Sequence, residues 1–479
     1  MASKSKAKSK AKAKSTGKAT AKAKPRKSES VWKFRKVERQ IFFWSVLAMC
    51  LGLLMFWGSR PKGRPDIELV NFLPLAIFAV SLIVFHTLLL LIRFRGDPLI
   101  TGLAAVLAGT GILAQSRMGV FVADKTLTMQ HLMFPAGVTL MFLMIFFFRK
   151  GRYRFLQPFA GFSALAALGI LALLLATGQR YRGTVFGPGG ITPTETLKVL
   201  VVLFLSGYFA LHLKHLKEHA HRYLPPFKTL FPLGFYWCLL TGLLILQRDM
   251  GLVVILTLVL LSMLYAASHK PFYLIYAALG VAGFGYLVFT YMGHSQRRLV
   301  AWLDPFADPS GAGWQVLQGL SGMYSGGLFG AGFGAGNPHF IPIAESDFIY
   351  AVIGEEMGFL GCLFVVVVYL VLIHRGFLIA QRANQPFGAF LATGLISVIA
   401  VQTFLNIGGV TKLIPITGIT LPLISHGGSS LITNFTSLGL LLAISEPGKA
   451  KKKRGKKKPA KKKPAKRKVS KERWEDEDE

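Results

Sequence analysis

Apolar stretches of close to twenty residues recur along this sequence, at about 41–58, 70–93, 99–115, 130–148, 158–177, 195–213, 230–246, 251–267, 271–291, 347–373, 385–408 and 419–445. An α-helix needs ~20 such residues to cross the ~30 Å hydrocarbon core of a bilayer, and lipid offers the backbone no other hydrogen-bond partner. The stretches predict an all-α polytopic membrane protein with about twelve spans. Charged residues make up only 16% of the chain, against roughly 25% in soluble proteins. A soluble enzyme, a disulfide-stapled secreted domain and a fully disordered chain are all excluded. The three cysteines, Cys50, Cys238 and Cys362, lie in apolar stretches, too dispersed for a disulfide framework or a zinc site. No apolar region followed by a cleavage site opens the chain, so a cleavable signal peptide is not expected.

The net charge of +34 is concentrated at the ends. Residues 1–40 hold 15 Lys and Arg against 2 Glu, and residues 447–479 hold 16 against 6 acidic residues, the last five of them Glu475 to Glu479. Such Lys/Ala/Ser/Pro tails cannot build a core. They suit anionic membrane lipid or a cytoplasmic partner, at about 1 kcal/mol per basic residue near the surface; nucleic acid is not expected. The domain plan is therefore a basic tail at 1–40, two spans at 41–96, a membrane core at 97–446 and a Lys-rich tail at 447–479. Lys and Arg gather in the short connections Arg93–Arg95, Arg149–Arg154, Lys214–Lys228, His269–Lys270 and Arg375–Arg382. The positive-inside rule puts these, and both tails, in the cytoplasm. The connection at 59–69, with three basic residues, breaks the rule locally.

The outer connection at 292–346 is far longer than the others, and loops of that length are usually functional or disordered. Its Gly, Phe, Trp and Leu content predicts an ordered segment lying on the membrane. Within it Arg297 and Arg298 precede Asp304 and Asp308, carboxylates four residues apart. An outward carboxylate near apolar surface suits a general base, while Asp-Pro also suits a helix N-cap; both readings stand for each Asp. The glycine-rich run Gly326–Gly336 nearly writes a dinucleotide fingerprint, but no βαβ unit surrounds it, so flexible backbone against a membrane or lipid head group fits better.

Ionisable residues at membrane depth are expensive and mark function by default. Glu195 and Lys198, spaced i, i+3, share a helix face and can pair. Asp249 sits in a break between spans, and Asp347, Glu355 and Glu356 open the span after the long connection. First-turn stabilisation by the helix dipole is the plainer reading for Glu195 and Asp347. The segment Gly418–Ser430 breaks and restarts a helix. Its Ser425, His426 and Ser429 lack a placed acid partner, so a half-helix N-terminus aimed at an anion is preferred to Ser–His catalysis. His212, His215, His219 and His221 read as a solvated helix end rather than a metal cluster.

In this order the motifs resemble the SEDS family (shape, elongation, division and sporulation proteins), over about 97–445. Pro193, Glu195 and Lys198 keep the pattern of a loop-to-helix element. Leu246–Leu252 is similar to a Gln-Pro-Asp-Leu-Gly stretch, and Asp308–Gln315 to Asp-Pro-x-Gly-x-Gly-Tyr-Gln. Ile341–Tyr350 with Gly354–Gly358 resembles an Asp-Phe-Ile…Glu-Glu-x-Gly helix, and Asn406–Gly408 with Leu413–Ser430 the final signature. Departures are Thr192 and Thr194 in a Gln-Pro-Ser-Glu motif, Trp314 and His426 where Tyr is usual, Arg248 where Pro is usual, and a blurred Arg180-Tyr181-Arg182.

The resemblance implies a ten-helix core behind two extra N-terminal spans, in a bacterial cytoplasmic membrane. It implies a peptidoglycan glycosyltransferase that polymerises lipid II at the outer face, paired with a class B penicillin-binding protein. Asp308 would be the base that activates the acceptor 4-hydroxyl, with undecaprenyl diphosphate leaving. Glu195, Lys198, Asp249, Arg298, Gln315, Glu345, Asp347 and Ser429 would bind substrate or support the site. A divalent cation, Mg or Mn, would assist at the diphosphate through ligands the sequence does not reveal. A lipid-linked precursor flippase and a non-catalytic scaffold are the alternatives. Against them stand the absence of an internal repeat, the clustering of polar residues on one side and the presence of Asp308.

Overall fold

The protein is described by a computed structural model covering residues 30–58, 72–123, 126–127, 129–181, 184–186, 192–218, 227–272, scattered positions between 275 and 290, and 293–447. Both extreme tails, the 59–69 connection, and His219 and His221 lie outside the described residues.

The main helices are α1 (Lys36–Gly58), α2 (Leu73–Leu91), α3 (Pro98–Arg117), α4 (Met133–Phe148), α5 (Ala160–Thr177), α6 (Thr194–Glu218), α7 (Phe227–Leu246), α8 (Met250–Ser268), α9 (Gly293–Leu303), α10 (Trp314–Gly326), α11 (Ile349–Arg382), α12 (Pro386–Val410) and α13 (Gly428–Ser445). Among the described residues ten helices are long and apolar enough to cross a membrane, and α4 is a shorter apolar helix. Eleven of the twelve expected spans thus have a helix, and 271–291 is only partly described. The chain is a multi-pass membrane protein. Two small antiparallel hairpins, β1 (Val122–Ala123) with β2 (Thr126–Leu127) and β3 (Gln179–Tyr181) with β4 (Thr184–Phe186), lie in connections.

Local chemistry sets the ends of these helices. Asp97 caps α3 by accepting from the Leu99 amide at 2.9 Å, with Pro98 next, and Asp249 caps α8 through the Leu252 amide at 3.0 Å. α11 is not one straight rod. Gly358 breaks it at φ 67°, and backbone bonds cross to the glycine segment there, Phe359 N to Gly327 O at 2.9 Å and Leu360 N to Leu328 O at 3.2 Å. A Cβ on Gly358 would sit 2.3 Å from Gly330 N, and one on Gly330 2.1 Å from Glu356 O. The glycine run is therefore a close-fitting seat for the kink, which corrects the expectation of flexible backbone. The final expected span also divides: residues 411–427 re-enter without helix, and α13 begins only at Gly428.

α12 is buried along most of its length, packed against α6, α8, α11 and α13. The two N-terminal spans dock by α1 on α3 and α2 on α4. Their anchor is Glu38, wholly buried. It accepts from Arg35 Nε at 3.2 Å and Thr101 Oγ1 at 2.6 Å, and lies 2.6 Å from His86 Nδ1.

Candidate active site at the re-entrant loop

The helix ends at one face of the bundle converge on the 411–427 loop. From α6, Lys198 Nζ lies 2.8 Å from Glu195 Oε2 and 2.9 Å from Gln402 Oε1 of α12. Gln402 Nε2 then donates to Thr420 O at 2.9 Å and Thr420 Oγ1 at 3.2 Å. One turn later Asn406 Nδ2 donates to Asp347 O at 2.9 Å and Ile419 O at 2.6 Å. Arg298 of α9 donates to Thr417 O at 3.0 Å and stands beside Asp347. Side chains from α9 and α12 thus supply the partners that a non-helical backbone at membrane depth requires, with Lys198 of α6 bonded to Gln402 behind them.

The same loop is pinned elsewhere. Ser425 Oγ donates to Ser346 O, His426 N donates to Glu345 O at 2.7 Å, and Tyr369 Oη donates to Pro422 O. Ser429 Oγ accepts from the Thr192 amide at 3.2 Å. Both serine hydroxyls are committed to backbone, so the structure assembles no Ser–His pair from Ser425, His426 and Ser429.

Charge follows burial. Asp249 lies within electrostatic reach of Lys198, Glu195 and Arg298; burial pushes its carboxyl above the usual range, against the Leu252 amide and Lys198, which favour the anion. Burial likewise raises Asp347, opposed by Ser346 and Arg298, and lowers Arg298, opposed by Asp347 and Asp249. His426 is lowered by burial, with the Glu345 carboxylate acting the other way. Glu195, Lys198, Asp249, Arg298, Asp347 and Glu345 therefore form one continuous electrostatic set. Glu195 is also in the first turn of α6, where the helix dipole favours its anion, and it pairs with Lys198 as their spacing allows.

Asp308 is placed differently. It is exposed, in the turn between α9 and α10, and Oδ2 accepts from the Ala312 amide at 2.8 Å. Gly313, not Asp308, stands at the N-cap of α10, which corrects the capping expectation for this residue. A Cβ on Gly311 would come 2.2 Å from Asp308 Oδ2, so a side chain there would displace the carboxylate from its present position. Asp304 Oδ1 accepts from the Phe306 amide at 3.0 Å and serves this turn. Gln315 Nε2 reaches Pro342 O at 3.4 Å and ties α10 to the segment before α11. Glu355 and Glu356 belong to the scaffold: Glu355 Oε1 accepts from the Asn337 amide at 2.7 Å, and Glu356 Oε1 from Arg117 Nε at 2.9 Å. Of the histidines, His212 stacks on Tyr208 with ring centroids 4.3 Å apart.

Sequence reasoning missed Gln402, and it named Asn406 and Thr420 only as parts of a motif, without a role. The signal was available: Gln402 and Asn406 are amides at i, i+4 on an apolar helix, which lipid penalises unless they have partners. Arg117 was missed because it lies at a span end, where a cation raises no alarm.

Fold and site together define a class: a multi-pass helical membrane protein with a polar, partly enclosed site where a broken helix re-enters, and an exposed carboxylate on the adjacent connection. A family model described as a cell cycle protein and covering FtsW, RodA and SpoVE matches residues 96–450. The chain is 32% identical over 430 residues to the peptidoglycan glycosyltransferase RodA of Mycobacterium tuberculosis H37Rv, covering 86% of this chain and 90% of that one. It is 34% identical over 262 residues to the stage V sporulation protein E of Bacillus subtilis, covering 54% and 69% respectively. A solved peptidoglycan synthase complex that coordinates polymerisation and crosslinking contains a chain of the same fold, with TM-score 0.58, 25% identity and coverage of 73% and 97%. RodA of Thermus thermophilus follows at TM-score 0.54 and 24% identity, with coverage of 73% and 96%. The protein belongs to the FtsW/RodA/SpoVE family.

Proposed function

We infer that this protein is a peptidoglycan glycosyltransferase that polymerises lipid II at the outer face of a bacterial cytoplasmic membrane. The observation that carries the activity is the alignment over nine-tenths of a relative bearing that name. Asp308 is the base in this reading. Its exposed carboxylate takes the proton of the acceptor sugar's 4-hydroxyl. The freed oxygen bonds to the donor's anomeric carbon, the bond from that carbon to the diphosphate breaks, and undecaprenyl diphosphate leaves with the electron pair.

Lys198 and Arg298 are turned inward onto Glu195, Gln402 and loop carbonyls, so they shape the floor of the site. Among the described residues Arg248 and Arg297 are exposed cations, and in this reading they serve the diphosphate. Among the described residues no three His, Cys, Asp or Glu side chains are grouped as metal ligands, so the donor set does not fit a protein-built cage for Mg or Mn, and no step is routed through a metal. The exposed apolar ridge of Phe359, Leu363 and Leu370 on α11 suits the single span of a class B penicillin-binding protein. Orientation with both termini in the cytoplasm rests on the basic connections.

Lipid II polymerisation by the purified protein with its transpeptidase tests this. Asp308→Asn should fall by about 10²–10⁴ in rate, the usual worth of a general base, with an unchanged melting profile. Glycan ladders at wild-type rate from the variant would move the base elsewhere, and no ladders from either protein would count against the polymerase reading.

A further inference from the structure

The basic connection between α4 and α5 holds a pocket of about 660 Å³, lined by Phe147, Phe148, Gly151, Arg152, Arg154 and Phe155. Backbone and side chains are described throughout residues 131–178. The chain turns through Lys150 and Gly151, at φ 57° and 85°, and continues as the 3₁₀ helix Arg152–Phe159. About three residues complete a turn of such a helix, so Arg152 and Phe155 share a face. The pocket lies at the end of the bundle opposite the re-entrant loop. α13 starts at that loop and runs for 18 residues, about 27 Å at ~1.5 Å per residue, before Glu446, whose carboxylate accepts from the Lys150 amide. In the orientation inferred from the basic connections, this is the cytoplasmic end.

Charge and depth select the occupant. Arg152 and Arg154 are exposed, and neither has a carboxylate partner among the described residues. The carboxylates at this end are committed elsewhere: Glu446 to the Arg95 amide at 3.3 Å and the Lys150 amide, and Asp97 to the Leu99 amide and Arg375. Arg149 donates to Ile92 O, which brings the exposed Arg93 and Arg95 to the same side. The guanidinium fork suits a phosphate. Beside it Phe147 and Phe155 are 54% and 68% exposed. α4 and α5, of 16 and 18 residues, rise about 24 and 27 Å, close to the ~30 Å hydrocarbon core, so the residues joining them sit at its edge, where lipid phosphates lie. A soluble anion would answer the arginines and leave the rings uncovered. A zwitterionic lipid would cover the rings but bring an ammonium that the arginines repel.

We propose that this pocket is a binding site for an anionic glycerophospholipid of the inner leaflet. Its phosphate sits on Arg152 and Arg154, and an acyl chain lies over Phe147 and Phe155. The bound phosphate supplies the counter-charge that the described residues do not provide and fixes the α4–α5 connection at the head-group plane. The site is separate from the sugar chemistry and stands whether or not the chain polymerises glycan.

The test is photocrosslinking of the full chain in nanodiscs with phosphatidylglycerol that carries a diazirine on one acyl chain, the labelled residues being mapped by mass spectrometry. Label should fall on Phe147, Phe148 or Phe155 and be chased by unlabelled phosphatidylglycerol but not by phosphatidylcholine. Arg152→Gln with Arg154→Gln changes two exposed side chains and should lower that label about tenfold, equivalent to ~1.4 kcal/mol. Label on Phe235, an exposed residue of α7, should stay the same, which separates the pocket from general contact with lipid. Arg152→Glu alone repeats the test should the double variant not fold. Equal chase by phosphatidylcholine, or pocket label unchanged in a folded arginine variant, overturns the proposal. Pocket label absent from the wild type but present once the acids of Glu475 to Glu479 are neutralised would give the pocket to the chain's own acidic run, and overturns it too.

Discussion

Lys198 is 3% exposed, an ammonium removed from water, and it is held there by one carboxylate and one amide oxygen. Removing one partner of a buried pair leaves the other uncompensated. Lys198→Met should therefore cost about 3–5 kcal/mol, read as a lower melting temperature in detergent, and Lys198→Met with Glu195→Gln should recover much of it. Asp347 gives the pH-dependent prediction. Its carboxyl is raised by burial, so the folded state binds the proton more tightly than the unfolded chain does. The stability it contributes is full below the unfolded value, near 3.9, and is lost as pH rises through the raised folded value. Asp249, raised for the same first cause, adds to the slope. Melting temperature should fall across that window in the wild type and fall less in Asp347→Asn; identical slopes would remove Asp347 from the account.

At the scale of elements, the kink in α11 and the re-entrant loop do related work. Each interrupts a helix where lipid would otherwise leave backbone groups bare, and each is repaired by a specific neighbour. For α11 the repair is the glycine segment, with Gly358 at φ 67° and no room for a Cβ. Gly358→Ala should cost about 1–3 kcal/mol for the backbone conformation alone, with the clash in addition. Thermal unfolding followed by size-exclusion chromatography would show it. For the loop the repair is Gln402 and Asn406, one turn apart on α12. Gln402→Leu keeps the volume but strips Thr420 O and Lys198 of a partner. Polymerisation should fall more than stability, because the loop carries His426 and braces the segment before Asp347.

Across the whole molecule, two latches hold the spans in one bundle. Asp97 pairs with Arg375 Nε at 3.1 Å, and its amide donates to Ser445 Oγ at 2.9 Å, drawing α3, α11 and the end of α13 together. Glu38 does the same for α1, α2 and α3, with Arg35, His86 and Thr101 all aimed at one wholly buried carboxylate. Glu38→Ala leaves Arg35 buried without its partner and should release the added spans, at about 3–5 kcal/mol. Limited proteolysis between α2 and α3 should then speed up; if cleavage is unchanged, the spans are held by apolar packing alone.

The helical membrane architecture and nearly all of the spans are legible in the residues alone, because length and hydropathy are local properties that lipid enforces segment by segment. Glu195, Lys198, Asp249 and Asp347 are marked there as well, since a charge in an apolar run is visible without coordinates. What those residues face emerges only from the packed bundle. In it Glu355 and Glu356 secure a glycine seat, Arg298 turns inward onto a loop more than a hundred residues away, and the added helix α1 docks on α3. Those outcomes depend on which helix ends meet, and pairing across hundreds of residues is set by the packing of the whole bundle, which no local pattern records.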